Sequence, residues 1–133
     1  LQISVSIADQ EAIDLVLPKA RARNLGVIAK RPIANAVWIG SNAAGDWYSR
    51  PYWERLRKLQ YPFLRDGANA IETALRFTLS TSGVHSAIVG TSKPGRWQQN
   101  ASFAAAGPLP GDEYDAIRSR WREVARRDWT GQR

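Results

Sequence analysis

The amino-acid sequence predicts an α/β fold in which three parallel strands alternate with helices. Three apolar runs have the length and pattern of strands: Leu1-Gln2-Ile3-Ser4-Val5-Ser6-Ile7, Gly26-Val27-Ile28-Ala29-Lys30-Arg31 and Ala87-Ile88-Val89-Gly90. Segments of helical composition separate them. Parallel neighbours require a crossover of a dozen or more residues, and each gap here is long enough to hold one. Three strands are few for a free-standing parallel sheet, which needs cover on its faces.

The first run alternates apolar with polar residues, as a half-buried strand does, and Asp9 stands where it can cap the next helix. Pro18 is tolerated in a first helical turn and damaging in a helix interior, so residues 10–16 are expected as a short turn and 17–24 as the main helix, closed by Gly26. The second strand ends at Pro32. A long irregular segment at about 33–67 follows, broken by Gly40, Gly45, Pro51, Pro62 and Gly67. It carries Trp38, Trp47, Tyr48, Tyr52, Trp53 and Tyr61, and a helix is expected within it near 51–59. Loops of this length are usually functional or disordered, and so many rings argue against disorder.

Asn69-Ala70-Ile71-Glu72 has capping-box spacing and opens a helix to about Ser80, with Ile71, Leu75 and Leu79 on one face. Gly83 stops it. Residues 87–90 form a third strand, expected to be buried. Thr91-Ser92-Lys93-Pro94 turns into a helix reaching about Ala106, Gly107-Pro108-Leu109-Pro110 interrupts the chain, and a last helix covers about 112–127.

The chain has no cysteine, which removes disulfides and thiolate metal sites and fits a reducing compartment. No apolar run approaches the ~20 residues of a membrane span, so a soluble, cytoplasmic protein with no membrane partner is expected. With no methionine and an apolar alternation starting at Leu1, the sequence reads as cut from a larger protein; a processed N-terminus is the alternative. The 19 Lys and Arg outnumber the 12 Asp and Glu, which raises nucleic acid as a partner. Against it, Arg118, Arg122 and Arg126 are spaced like the solvated face of a helix, and no nucleic-acid partner is expected.

The segment Gly90-Thr91-Ser92-Lys93-Pro94-Gly95-Arg96 carries the most chemistry. A helix start exposes unpaired N–H groups that attract anions. Lys93 and Arg96 there oppose the helix dipole, a cost an anionic ligand would offset. Plain capping with incidental surface cations is the alternative. Lys30, at the C-terminal end of the second strand, is a candidate cofactor or substrate contact, or else a solvated lysine. No dinucleotide-binding glycine fingerprint or P-loop is present. His85, the one histidine, reads as a loop residue, and no metal site is expected.

Taken together, Leu1-Gln2-Ile3-Ser4-Val5-Ser6-Ile7-Ala8-Asp9-Gln10, Leu25-Gly26-Val27-Ile28-Ala29-Lys30-Arg31-Pro32, Ala74-Leu75-Arg76-Phe77, Gly90-Thr91-Ser92-Lys93-Pro94 with Asn100, and Gly107-Pro108-Leu109-Pro110 give the chain a likeness that covers its whole length. It resembles the aldo-keto reductases. The resemblance implies a partial TIM (β/α)8 barrel, with residues 1–133 as its C-terminal portion and the three strands as the sixth, seventh and eighth. It also implies an oxidoreductase that uses NADP(H) to interconvert small carbonyls and alcohols by hydride transfer. The cofactor-binding residues it implies are Gln2 at the nicotinamide carboxamide, Lys30 at the nicotinamide ring, and Thr91, Arg96, Gln99 and Asn100 around the adenosine 2′-phosphate and adenine, together with Arg31, Ser92 and Lys93. Lys30 stands where many members have a stacking aromatic ring, and Gly90 replaces a lysine of some members, which leaves the phosphate charge to Arg96 and Lys93. Trp47, Tyr48 and Trp53 fall in a substrate-side loop. The family's catalytic Asp-Tyr-Lys-His set belongs to its N-terminal half, and no catalytic residue is assigned within 1–133. The expected partners are the dinucleotide and a small carbonyl substrate, with self-association or pairing to an N-terminal half. A non-catalytic NADP-binding or regulatory protein on the same scaffold is the alternative.

Overall fold

The structure is a computed structural model that describes residues 1–40 and 47–131. Its centre is a three-stranded sheet of β1 (Gln2–Ser4), β2 (Ile28–Lys30) and β3 (Ser86–Ile88), in that spatial order and parallel throughout. In register, Gln2 faces Ile28 and Ser86, Ile3 faces Ala29 and Ala87, and Ser4 faces Lys30 and Ile88. Successive strand residues point to opposite faces, so this register sorts the side chains into two sets. Ile3, Ala29 and Ala87 pack with Val5, Ala12, Val16 and Val84 on the helical side. Gln2, Lys30 and Ile88 belong to the other face.

Two helices, α1 (Glu11–Leu15) and α2 (Leu17–Ala22), connect β1 to β2. The break lies at Val16 because Pro18 occupies the opening positions of α2, as expected from its missing N–H. Asp9 caps neither helix; Gln10 precedes α1 without a side-chain cap. Asp9 is instead fully buried, 3.9 Å from Arg55. Nor does Gly26 close α2. Asn24 takes the left-handed conformation at φ 52°, while the N–H groups of Asn24 and Leu25 donate to the carbonyls of Arg21 and Ala20. That is the glycine-type helix stop built with asparagine, the next most tolerant residue.

The first strand is shorter than its alternation suggests. After Ser4 the chain turns, Ser6 and Asp9 exchange backbone hydrogen bonds, and residues 5–10 are all buried. Ser6 and Gln10 are therefore interior groups rather than the wet side of a strand. β3 departs in the opposite sense. It covers Ser86–Ile88 instead of 87–90, and Ile88 is 50% exposed where burial was expected. Among the described residues, nothing buries Ile28 and Ile88 on the face they share, whereas Ser4 is covered there by Tyr52.

Beyond β2, Ala34, Asn35 and Ala36 all have positive φ, forming a tight left-handed turn. Helix α3 (Arg50–Leu59) follows, with Pro51 in its first turn, and then a 3-10 turn at Pro62–Arg65. Gly45 lies outside the described residues. Helix α4 (Gly67–Ser80) starts two residues before the expected capping box, so Asn69 sits inside its first turn and donates to the Asp66 carboxylate. The chain ends with α5 (Arg96–Ala105) and α6 (Gly111–Val124).

The main core gathers Ile7, Tyr52, Leu56, Leu59, Tyr61, Phe77, Leu109, Ile117, Trp121 and Trp129. Arg76 ties the Gly107-Pro108 break to α4 through both carbonyls, at 3.0 and 2.7 Å, and the Ser80 hydroxyl accepts from Leu109 N–H. Arg118 overturns the reading of a solvated arginine face. It is 4% exposed, donating to Gln10 Oε1 at 2.8 Å and to Asp14 Oδ1 at 2.6 Å. Arg122 is exposed, and Arg126 lies beyond the end of α6.

Candidate cofactor cleft

A cleft of about 890 Å³ opens along the C-terminal ends of β2 and β3. That end is where parallel α/β sheets place their ligands, because loops leave the strands there and helix N-termini point inward. Gln2, Lys30, Arg31, Tyr48, Thr91, Ser92, Lys93, Arg96 and Asn100 all line it. Gln99 is exposed and lies outside the lining, as does Trp47. Trp53 packs at the edge of the main core, with the Arg57 guanidinium 4.7 Å from its ring centroid.

The cations reach the cleft from two places. Lys93 and Arg96 come from the turn after β3, which differs in detail from the expected helix start. α5 begins at Arg96, preceded by Gly95 at φ 76°, a conformation that suits glycine. Ser92 does not cap it. Lys93 lies ahead of the helix, where its N–H donates to Thr91 Oγ1 at 3.2 Å. Arg96 is half-buried at the first helical position and lines the cleft. One turn on, Asn100 is 9% exposed and its Oδ1 has no hydrogen-bond partner among the described residues. A buried amide oxygen left unpaired costs about 1–3 kcal/mol, so a ligand that donates to it recovers that energy. At Gly90 an added Cβ would meet nothing within 4 Å, which leaves space where the chain leaves β3.

Lys30 and Arg31 come from the end of β2. Arg31 adopts φ 56° and donates from Nε to the Tyr48 hydroxyl, with its guanidinium 4.6 Å from the Tyr48 ring centroid. Beneath it Tyr52 is fully buried and shares a 3.1 Å hydrogen bond with Ser4. Burial holds the Tyr52 hydroxyl above the ordinary phenol pKa, against the opposing pull of the Ser4 hydrogen bond. The Thr78 hydroxyl, from α4, donates to Pro32 O at 2.8 Å and braces the loop that carries Arg31. Among the described residues, no Asp or Glu lines the cleft.

Sequence reading missed the apolar wall. Ile33, Ile39, Ile71, Ile88 and Val89 line the same space, coming from the left-handed turn region, α4, and the end of β3 with the residue after it. Ile71 had been placed only by its helical periodicity. His85 lies in the turn before β3, where its Nδ1 accepts from Val27 N–H at 3.1 Å. Among the described residues no group of His, Asp or Glu could hold a metal ion, and no helix is long and apolar enough to cross a membrane.

Two solved structures have the same arrangement of strands and helices, the apo and holo forms of an aldo-keto reductase from Bacillus halodurans. The apo form matches with a TM-score of 0.71 at 19% identity, and the holo form with 0.69 at 18%. The fold is that of part of an aldo-keto reductase barrel. Each match takes in 96% of this chain but only 45% and 44% of the reductase, so the chain spans less than half of that barrel. Neither protein-family models nor curated proteins match the sequence. The partial barrel explains the bare face of the sheet, since in a complete one further strands and side chains fill the interior.

Proposed function

We propose that this chain is the C-terminal, NADP(H)-gripping part of an oxidoreductase that reduces aldehydes or ketones, with the remaining strands of the barrel supplying the catalytic set. The observation that carries the reading is the Asn100 amide oxygen, buried and without a partner among the described residues, in the wall of a cleft that also holds Arg96 and Lys93. A 2′-phosphorylated adenosine meets each of those features. Its phosphate suits the Arg96 fork, the N–H groups opening α5 and the Thr91 hydroxyl, and its exocyclic amine can donate to Asn100 Oδ1. Ile71 and Val89 offer apolar surface for the base, and Gln2 offers an amide for the carboxamide at the far end.

The cofactor, when bound, supplies the reducing equivalent. This chain's own residues then bind and orient it and neutralise its charge. Held close to one arrangement, a dinucleotide loses less freedom at the moment of reaction, which is how binding residues remote from the chemistry contribute to rate. The bare sheet face and the open edges of β1 and β3 support pairing with the rest of a barrel, because parallel sheets are covered on both faces.

The test is dinucleotide binding to the chain and its Arg96→Ala variant. One charge-assisted contact is worth roughly 1.5–3 kcal/mol, about 10–150-fold in affinity. Arg96→Ala is expected to remove most of a preference for NADP over NAD and leave NAD binding nearly unchanged. Equal losses for both dinucleotides would make Arg96 structural and refute the assignment.

A further inference from the structure

Helix α5 differs from the other long helices in what it shows to solvent. It packs against α4. Arg96, Asn100 and Phe103 are its inward residues, and every other residue from Trp97 to Ala105 is exposed. That outer surface carries no Asp, Glu, Lys or Arg. By contrast, α3 exposes Arg57 and Lys58, and α6 exposes Asp115 and Arg122. Helical spacing divides the outer surface of α5 into two flanks. Trp97, Ala101, Ala104 and Ala105 share one, and Gln98, Gln99 and Ser102 share the other. Trp97 is 66% exposed at the N-terminal end of the first flank, and the three alanines follow it. An exposed tryptophan on an uncharged surface has the composition of an interface centre, and its apolar area is costly to leave in water.

We propose that this flank of α5 binds the same flank of a second copy of the chain, as an antiparallel helix pair about a two-fold axis at Ala101. The spacing is self-complementary, as such an axis requires. Trp97 and Ala105 each lie four residues from Ala101, so the tryptophan of one copy meets Ala104 and Ala105 of the other, and the reverse. A large ring then fills the space that two methyl groups leave open, and alanine at the crossing lets the helix axes approach to about 8 Å. Charge agrees with that direction. The N-terminal end of α5, positive from its unpaired N–H groups and flanked by Lys93 and Arg96, comes beside the other copy's C-terminal end, where carbonyls carry partial negative charge and residues 97–107 bring no cation. A parallel pair would set the positive ends together and Trp97 against Trp97. Arg96 and Asn100 line the cleft from the inward side of α5, so the pairing uses neither of them and does not rest on the dinucleotide reading. A helix from the rest of a barrel is the competing occupant of this flank.

Light scattering of the 133-residue chain over a range of concentrations tests this, together with disulfide trapping. A weak, concentration-dependent dimer is expected, because one helix pair is small beside a standard interface. Ala101→Glu sets two carboxylates face to face on the axis, and Trp97→Ser removes the anchor. Each is expected to weaken the dimer about 10-fold or more. The chain has no cysteine, so in Ala101→Cys any disulfide joins two copies at that position. That variant is expected to oxidise to a covalent dimer much faster than Ser102→Cys, on the opposite flank. All three positions are exposed, and circular dichroism checks that each variant keeps its fold. Equal trapping at 101 and 102 would overturn the proposal. A dimer that Ala101→Glu leaves intact would also overturn it and place the association at the sheet edge. A chain that stays monomeric throughout would do the same and leave the flank to a helix from the rest of a barrel.

Discussion

Replacing Arg118 by methionine removes a guanidinium that is almost completely buried while keeping most of its apolar stem. Two contacts go. The one to Asp14 Oδ1 at 2.6 Å costs little, because the Asp14 side chain is 52% exposed and water takes over its hydration. The one to Gln10 Oε1 at 2.8 Å costs more, because Gln10 is fully buried and its amide nitrogen is already turned towards Ile7 O and Tyr61 Oη. Its oxygen is then left without that donor in the core. Losing a hydrogen bond to a charged group and stranding the acceptor together come to about 2–4 kcal/mol. With a urea dependence of about 1–3 kcal/mol per molar, the midpoint should fall by roughly 1–2 M. Tryptophan fluorescence reports the transition directly, since Trp121 lies one helical turn beyond Arg118 and is buried against Trp129 at 5.4 Å. Arg122→Met, on the exposed side of the same helix, is the control and should shift stability by no more than about 0.5 kcal/mol. Equal small effects at both positions would refute the argument and restore a solvated arginine face.

High pH should unfold the protein through its buried tyrosines. Burial raises both Tyr52 and Tyr61 above the ordinary phenol value, so the folded state holds protons that the unfolded state releases from about pH 10 upward. Stability is therefore expected to be level below about pH 10 and to fall steadily above it, with phenolate absorbance for these two appearing only together with unfolding; their ionisation in a still-folded protein would contradict this. The open sheet edges and the exposed Ile28 and Ile88 are expected to drive association of the isolated chain into dimers or larger species. Light scattering showing a stable monomer of the chain's own 14.8 kDa would count against the bare face as a docking surface.

Much of the layout was legible from local chemistry. Pro18 and Pro51 mark helix first turns because a ring without an N–H fits only there, and three apolar runs spaced by helix-length segments imply parallel pairing. Lys93 and Arg96 could be nominated from their order after an apolar run and Asn100 only from the resemblance to a known family, and the structure brings all three into one cleft with Gln2, Lys30 and Arg31. Those are statements about neighbours in the chain, or about residue types whose backbone preferences are strong.

Tertiary structure alone decided the rest, because burial of a polar group depends on partners far away in sequence. Arg118 has the spacing of a wet helix face, and its fate was settled by Gln10, more than a hundred residues earlier. Asp9 looks like a helix cap until Arg55 and the chain's own turn at Ser6 enclose it. Ile88 looks like a core strand residue, yet none of the described residues makes a layer that buries it, so it stays half in water. The unpaired oxygen of Asn100 is likewise invisible in a helical pattern. A sequence shows which groups can hydrogen-bond, and only packing shows which of them are left unpaired.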